Sequence, residues 1–264
     1  MTPLHHEVSG PADGPPLVLG PSLGTSTAVW GQQLPGLSRD FRTIAYDLPG
    51  HGGSATGPPR DTGDTGDTGD TTVADLAGLV LSVADGLGLD RFHYAGISLG
   101  GAVGAHLAAH HPDRVASLAL VCSSAHFGPP GPWRERARLV RDQGTAPLLD
   151  TAPDRWFSDE SLAATGTGRR LLDALAATAP AGYAACCDAL AAYDLRDRLA
   201  DITAPTLVVG GSRDMATPLP HARELAAGVP RSTLEVLECG HLAAEAPSPL
   251  LETLRRHLGR APTP

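Results

Sequence analysis

The stretch Ala95-Gly96-Ile97-Ser98-Leu99-Gly100-Gly101 decides the fold, because it sets a serine between glycines where a strand runs into a helix. Such a G-x-S-x-G elbow forces a tight, strained turn that exposes the hydroxyl and puts a backbone N–H beside it. A side chain larger than hydrogen at Gly96 or Gly100 would collide with the neighbouring strand and helix. The pattern alone arises by chance, and its setting gives it weight. Upstream, Arg91-Phe-His-Tyr-Ala95 reads as a short buried strand, and downstream, Ala102 to His110 reads as an Ala-rich helix.

Further out, apolar runs at 17–19, 41–46, 92–95, 117–122, 206–209 and 233–237 read as strands. The middle ones are near-continuously apolar, as in a parallel sheet covered on both faces. Helical patterns at 72–87, 98–110, 219–227 and 247–258 alternate with them, which predicts a doubly wound α/β sheet. The opening 4–8 segment, set off by Gly10-Pro-Ala-Asp-Gly-Pro-Pro16, reads as an antiparallel hairpin partner of the next strand. Two segments break the rhythm. The Asp-Thr-Gly repeat from Asp61 to Asp70 is too acidic and glycine-rich to bury a core and reads as a mobile surface loop without EF-hand order. From 125 to about 195, helical patterns at 133–142, 167–178 and 181–193 replace the alternation. An insertion of that size reads as a helical cap over the carboxyl ends of the strands, where open α/β sheets bind ligands. The expected division is a core of residues 1–124 and 196–264 and a cap of 125–195.

With 264 residues, 42% of them apolar, the chain can bury a large core in one α/β domain. A net charge of −9 and the absence of any Lys leave no basic face for a nucleic acid. An anionic ligand would have to be held by a local arginine cluster against the overall field. No apolar run approaches the roughly 18 residues of a membrane span and no leader pattern opens the chain, so a cytoplasmic location without membrane attachment is expected. Cys122, Cys186, Cys187 and Cys239 are too scattered for a disulfide framework and lack metal-ligand spacing, so reduced thiols are expected. Cys239 lies two residues before a histidine of interest, which sets a thiol role beside ordinary packing. The sequence leaves a homo-oligomer open.

A serine hydroxyl is a poor nucleophile until a base takes its proton, so a histidine and a carboxylate must follow downstream. After the strand ending at 209 comes Gly210-Gly-Ser-Arg-Asp214-Met-Ala-Thr-Pro218, which presents an acid at a strand's carboxyl end. After the strand ending at 237 comes Glu238-Cys-Gly-His241-Leu242. Ser98, Asp214 and His241 therefore run in the order nucleophile, acid, base. Each has a plainer reading: Ser98 as a helix cap, Asp214 as a turn residue or ion-pair partner of Arg213, His241 as a buried hydrogen-bonded histidine. His51, in Asp47-Leu-Pro-Gly-His51-Gly-Gly-Ser54, is a rival base, but its loop reads better as a glycine turn near the pocket. Acyl transfer also needs donors aimed at the developing oxyanion. The Leu99 N–H is one, and the turn Gly20-Pro21-Ser22-Leu23-Gly24-Thr25 supplies the Leu23 N–H, since Pro21 cannot donate.

With these parts in place, the chain resembles the α/β-hydrolase superfamily over essentially its whole length, and within it the 3-oxoadipate enol-lactonases. The narrower likeness is carried by Ser22-Leu-Gly-Thr-Ser-Thr-Ala-Val-Trp30 and by Tyr46-Asp-Leu-Pro-Gly-His-Gly-Gly-Ser54. In the cap it is carried by Phe127-Gly-Pro-Pro-Gly-Pro-Trp133 with Arg134, Arg136 and Arg138, by Arg155-Trp-Phe157, and by Tyr183-Ala-Ala-Cys-Cys-Asp-Ala-Leu190 leading into Asp194-Leu-Arg196. The elbow and the triad specify only a hydrolase. Departures are Pro21-Ser22 where many members have His-Gly, the Asp-Thr-Gly repeat, and Ala243-Ala244 where a polar residue is expected. The resemblance implies a mostly parallel sheet with a helical cap inserted after the sixth strand, and no cofactor or metal. Its substrate would be a small anionic enol-lactone bearing an acetate arm, opened to 3-oxoadipate during degradation of aromatic compounds. The substrate carboxylate needs a cation in the cap. Arg136, three residues after Trp133 on a predicted helix, shares a face with it and is preferred over Arg134 and Arg138, although a solvated arginine face is the plainer reading. A general carboxylesterase or cofactor-free perhydrolase would use the same three residues with another pocket, and a hydrolase-shaped receptor would bind without turnover. Haloalkane dehalogenation wants an aspartate nucleophile, which Ser98 rules against.

Overall fold

The computed structural model describes residues 4–56 and 70–261, so positions 61–69 of the Asp-Thr-Gly repeat lie outside the described residues. One sheet carries seven strands: β1 (His6–Ser9), β2 (Pro16–Gly20), β3 (Arg42–Tyr46), β4 (Phe92–Ile97), β5 (Val115–Val121), β6 (Thr206–Gly211) and β7 (Ser232–Leu237). Their spatial order is β1-β3-β2-β4-β5-β6-β7, and all neighbours are parallel except β1 beside β3. Every residue of β4, β5 and β6 is buried, which is why these strands read as unbroken apolar runs.

The crossovers include α1 (Leu34–Leu37), α2 (Val73–Gly86) and α3 (Leu99–His110). Helix α2 starts in a capping box: the Asp75 N–H donates to the Thr72 hydroxyl at 3.2 Å and the Thr72 N–H to the Asp75 carboxylate at 2.8 Å. Helix α3 is buried almost all round, as its Ala- and Gly-rich sequence permits. Between β5 and β6 stand α4 (Pro130–Gln143), α5 (Ala146–Leu149), α6 (Ala152–Trp156), α7 (Gly166–Ala177) and α8 (Pro180–Ala192). Helices α9 (Leu219–Gly228) and α10 (Pro247–Leu258) complete the alternation. The ends of the helical insertion lie side by side, because His126 and Asp194 form an antiparallel bridge and the Leu195 N–H donates to Ala125 O at 2.9 Å. Helix α4 packs on α8, and Arg141 pairs with Asp188 across them.

Two expectations are corrected. The first segment does not form a hairpin with β2. Both edges of β2 are occupied by β3 and β4, so β1 adds to the free edge of β3, with Val8 opposite Ile44. The insertion follows the fifth strand of this sheet instead of the sixth, because a single antiparallel strand closes the amino-terminal edge. Strand order reverses between β2 and β4, since the chain runs outward to β3 and then returns. At such a switch point open α/β sheets bind ligands, beyond the carboxyl ends of the strands. No helix among the described residues is long and apolar enough to cross a membrane.

Candidate active site

At the end of β4 the chain turns into α3 through Ser98, held at φ 55° and ψ −117°. Backbone of this kind costs a non-glycine residue roughly 1–3 kcal/mol and persists only where its surroundings hold it. Three bonds do so. The Ser98 N–H donates to Val121 O at 2.9 Å, the Ser123 hydroxyl donates to Ser98 O at 2.8 Å, and the Gly100 N–H reaches Pro21 O at 3.0 Å. A Cβ on Gly96 would stand 2.3 Å from the Gly100 carbonyl, and one on Gly100 would stand 2.5 Å from the Gly20 carbonyl. The glycines thus let elbow and β2 loop touch backbone to backbone. Beneath them the Tyr94 hydroxyl donates to Gly100 O at 2.8 Å, so the Tyr46 hydroxyl, 2.8 Å away, must donate to Tyr94.

Asp214 follows β6 and His241 follows β7, and the parallel strands bring both to the edge where Ser98 stands. His241 Nδ1 lies 3.1 and 3.0 Å from the two Asp214 oxygens. The carboxylate also accepts the N–H groups of Ala216 and Thr217, each at 2.8 Å, and the Thr217 hydroxyl at 2.7 Å. Burial alone would push the Asp214 carboxyl up. The charge of His241 and these hydrogen bonds outweigh it and hold the group down to about 2. An ionised acid on Nδ1 fixes the proton there, which leaves Nε2 as the basic nitrogen. The plainer pairing of Asp214 with Arg213 does not occur, because Arg213 reaches Glu238 at 2.6 Å. Ser98 and His241 line one cleft. Among the described residues the Ser98 hydroxyl makes no hydrogen bond, and such contacts often tighten only when substrate binds.

Leu23 lies in the wall of this cleft, and Leu99 is buried at the first turn of α3. Among the described residues neither backbone N–H has an acceptor, which leaves two donors free at the elbow. The Leu23 loop is held from behind by His51. That ring is fully buried, and its Nδ1 lies 2.9 Å from Pro49 O, so Nδ1 carries the proton and Nε2 accepts the Gly24 N–H at 3.1 Å. Burial pushes His51 down to about 4, so it is neutral at pH 7. The rival base is a loop clamp with both nitrogens in use.

The insertion supplies the opposite wall. The cleft encloses ≈ 580 Å³, open solvent included, and Trp133 and Arg136 of α4 face it. The Trp133 Nε1–H donates to Phe127 O at 2.8 Å, and the Arg136 guanidinium lies 4.8 Å from the Trp133 ring centroid. Arg134 and Arg138 are exposed, whereas Arg136 is half-buried, so the three-residue spacing picked the arginine that turns inward.

Three contributions escaped the sequence reading. Thr217 steadies the Asp214 carboxylate, and its position three residues after the acid was the available signal. The Glu245 carboxylate accepts the Gly240 N–H of the His241 loop and, at 3.0 Å, the Ser158 N–H of the insertion. Arg155 of α6 lines the cleft and pairs with no carboxylate among the described residues. Cys239 is fully buried, the Cys122 thiol donates to Gly240 O at 3.7 Å, and the neighbouring Cys239 together with burial pushes the Cys122 thiol well above its usual range. That is packing, not a reactive thiol.

The alpha/beta hydrolase fold family matches residues 15–155. The chain is 35% identical to 3-oxoadipate enol-lactonase 2 of Acinetobacter baylyi, over 91% of this chain and 86% of the relative. It is 34% identical to a protein of Variovorax paradoxus described as carbamate hydrolase RutD, over 92% of each. The crystal structure of the enol-lactonase from Burkholderia xenovorans superposes with a TM-score of 0.90 at 32% identity, covering 97% of this chain and 96% of that one. Together with the elbow, the mostly parallel sheet and the helical insertion, these matches establish that the chain belongs to the α/β-hydrolase fold family.

Proposed function

We propose that this hydrolase opens the lactone ring of 3-oxoadipate enol-lactone to give 3-oxoadipate, with Ser98, Asp214 and His241 as its catalytic residues. The observation that carries the reading is the Asp214–His241 pair in one cleft with Ser98, whose hydroxyl makes no hydrogen bond among the described residues, and with Arg136 in the wall. Relatives named as enol-lactonases add weight to the choice of substrate.

In this reading His241 Nε2 takes the Ser98 proton as Oγ bonds to the lactone carbonyl carbon, and the Leu23 and Leu99 N–H groups hold the oxyanion. The ring C–O bond then breaks and expels an enolate, a better leaving group than an alkoxide. His241 returns the proton to it, and the enol becomes a ketone. Water, deprotonated by His241, attacks the acyl-enzyme and frees the second carboxylic acid. Arg136, stacked on Trp133, holds the substrate's own carboxylate. Residues 125–195 act as the cap that closes this site over the core of 1–124 and 196–264. The four cysteines are buried and unpaired, which supports a cytoplasmic location.

Relatives described as carbamate hydrolases favour a second reading, in which the same residues attack a carbamate carbonyl. A general carboxylesterase or cofactor-free perhydrolase would also share the triad. The test is ultraviolet loss of freshly generated enol-lactone, with wild type beside Ser98→Ala and with a neutral carbamate and an aryl ester in parallel. Turnover of the lactone by wild type and its loss in Ser98→Ala is the expected result. Faster turnover of the carbamate or the ester overturns the choice of substrate, and full activity in Ser98→Ala overturns the mechanism.

A further inference from the structure

Resting on the reading of this cleft as an acyl-hydrolase site, we infer that Arg155 is a second anion anchor beside Arg136. The site thereby selects ligands with two carboxylates, small aliphatic dicarboxylates, over monoanions. Both arginines are half-buried in one cleft, and they reach it from different helices, α4 and α6. Neither pairs with a carboxylate among the described residues. Exposed arginines such as Arg134, Arg138 and Arg223 also lack an acidic partner among the described residues, so what sets Arg136 and Arg155 apart is that both are partly withdrawn from water into the same cleft.

Two like charges facing one half-buried space repel, and partial desolvation makes each more costly. Trp133 and Trp156 share the same walls, which strengthens any ion pair formed there. One guanidinium satisfies one carboxylate through a bidentate pair, so a monoanion leaves the second cation unmet. A dicarboxylate meets both. Hydrolysis of an anionic lactone creates such a ligand from a monoanion, because the opened acyl group leaves as a carboxylate. Arg155 therefore makes the site hold its product more tightly than a one-cation pocket would.

The test is calorimetric titration with adipate and with hexanoate, chains of equal length bearing two carboxylates and one. Wild type should bind adipate at least about tenfold more tightly. Arg155→Gln should erase that margin while changing hexanoate binding by less than about twofold, and Arg155→Lys, which keeps the charge, should restore part of it. Equal affinities in wild type, no adipate binding up to roughly 10 mM, or an equal loss for both acids in Arg155→Gln overturns the inference. Binding is read without turnover. An enzyme that prefers adipate yet leaves enol-lactone intact would sink the proposed reaction and spare this anchor.

Discussion

Lowering the pH to 5 is expected to cost this protein about 4 kcal/mol of stability through two buried histidines. His51 and His93 are 0% and 2% exposed, and burial pushes each down to about 4 from an ordinary 6.5. On unfolding, both regain the ordinary value. Between pH 6.5 and 4 the unfolded chain consequently binds more protons than the folded one, and stability falls as pH falls. At pH 5 each unfolded imidazole is mostly protonated and each folded one mostly neutral, a difference of about 2 kcal/mol per histidine. Burial depresses His106 as well, but it is half-exposed, so its share is smaller. Asp214 acts in another window. Held at about 2, it contributes stability that is present above the ordinary carboxylate value and is lost only as pH falls toward 2. Typical domains hold about 5–15 kcal/mol in total, so the loss at pH 5 is large. Urea unfolding at pH 7.5 and 5.0, on wild type and on the His51→Gln/His93→Gln double variant, measures it. The double variant starts less stable, because His51 also clamps Gly24 and Pro49 and His93 bonds Ser117 at 2.8 Å. What is compared is the change with pH, which should shrink by about 4 kcal/mol. A double variant with the wild-type pH dependence refutes the reasoning.

Asp214→Asn should lower kcat by about 10⁴, because the amide no longer holds His241 in the tautomer with a free Nε2, and a loss below tenfold in steady-state assays would show that His241 needs no such partner. Arg136→Ala should raise KM for the anionic lactone by about tenfold or more while leaving KM for a neutral aryl ester unchanged, and equal effects on both would remove the assignment. Gly100→Ala would set a methyl 2.5 Å from the Gly20 carbonyl, so a destabilisation of about 3 kcal/mol or more is expected by thermal melting. A wild-type melting curve would mean that elbow and β2 loop are not in direct backbone contact.

What was legible in the sequence depended on how local its cause was. The glycines around Ser98 answer to atoms a few residues away or on the adjacent strand, so the elbow announced itself, as did the strands whose burial on both faces leaves an unbroken apolar run. The order Ser98, Asp214, His241 was readable because parallel strands deliver every following loop to the same edge. The partner of β1 was not readable, because that choice turns on which strand still has a free edge, a property of the assembled sheet. The same limit applies to Glu245. The resemblance places a polar residue at 243–244, but the carboxylate that ties the His241 loop to the insertion stands one position later, and its partner Ser158 is 87 residues away in sequence. The two arginines separate the cases most clearly. Helical spacing from Trp133 was enough to choose Arg136, since stacking three residues apart is local geometry. Arg155 carries no such local signal in the sequence, because it joins Arg136 in the cleft wall from a different helix, α6, and not through spacing along one helix.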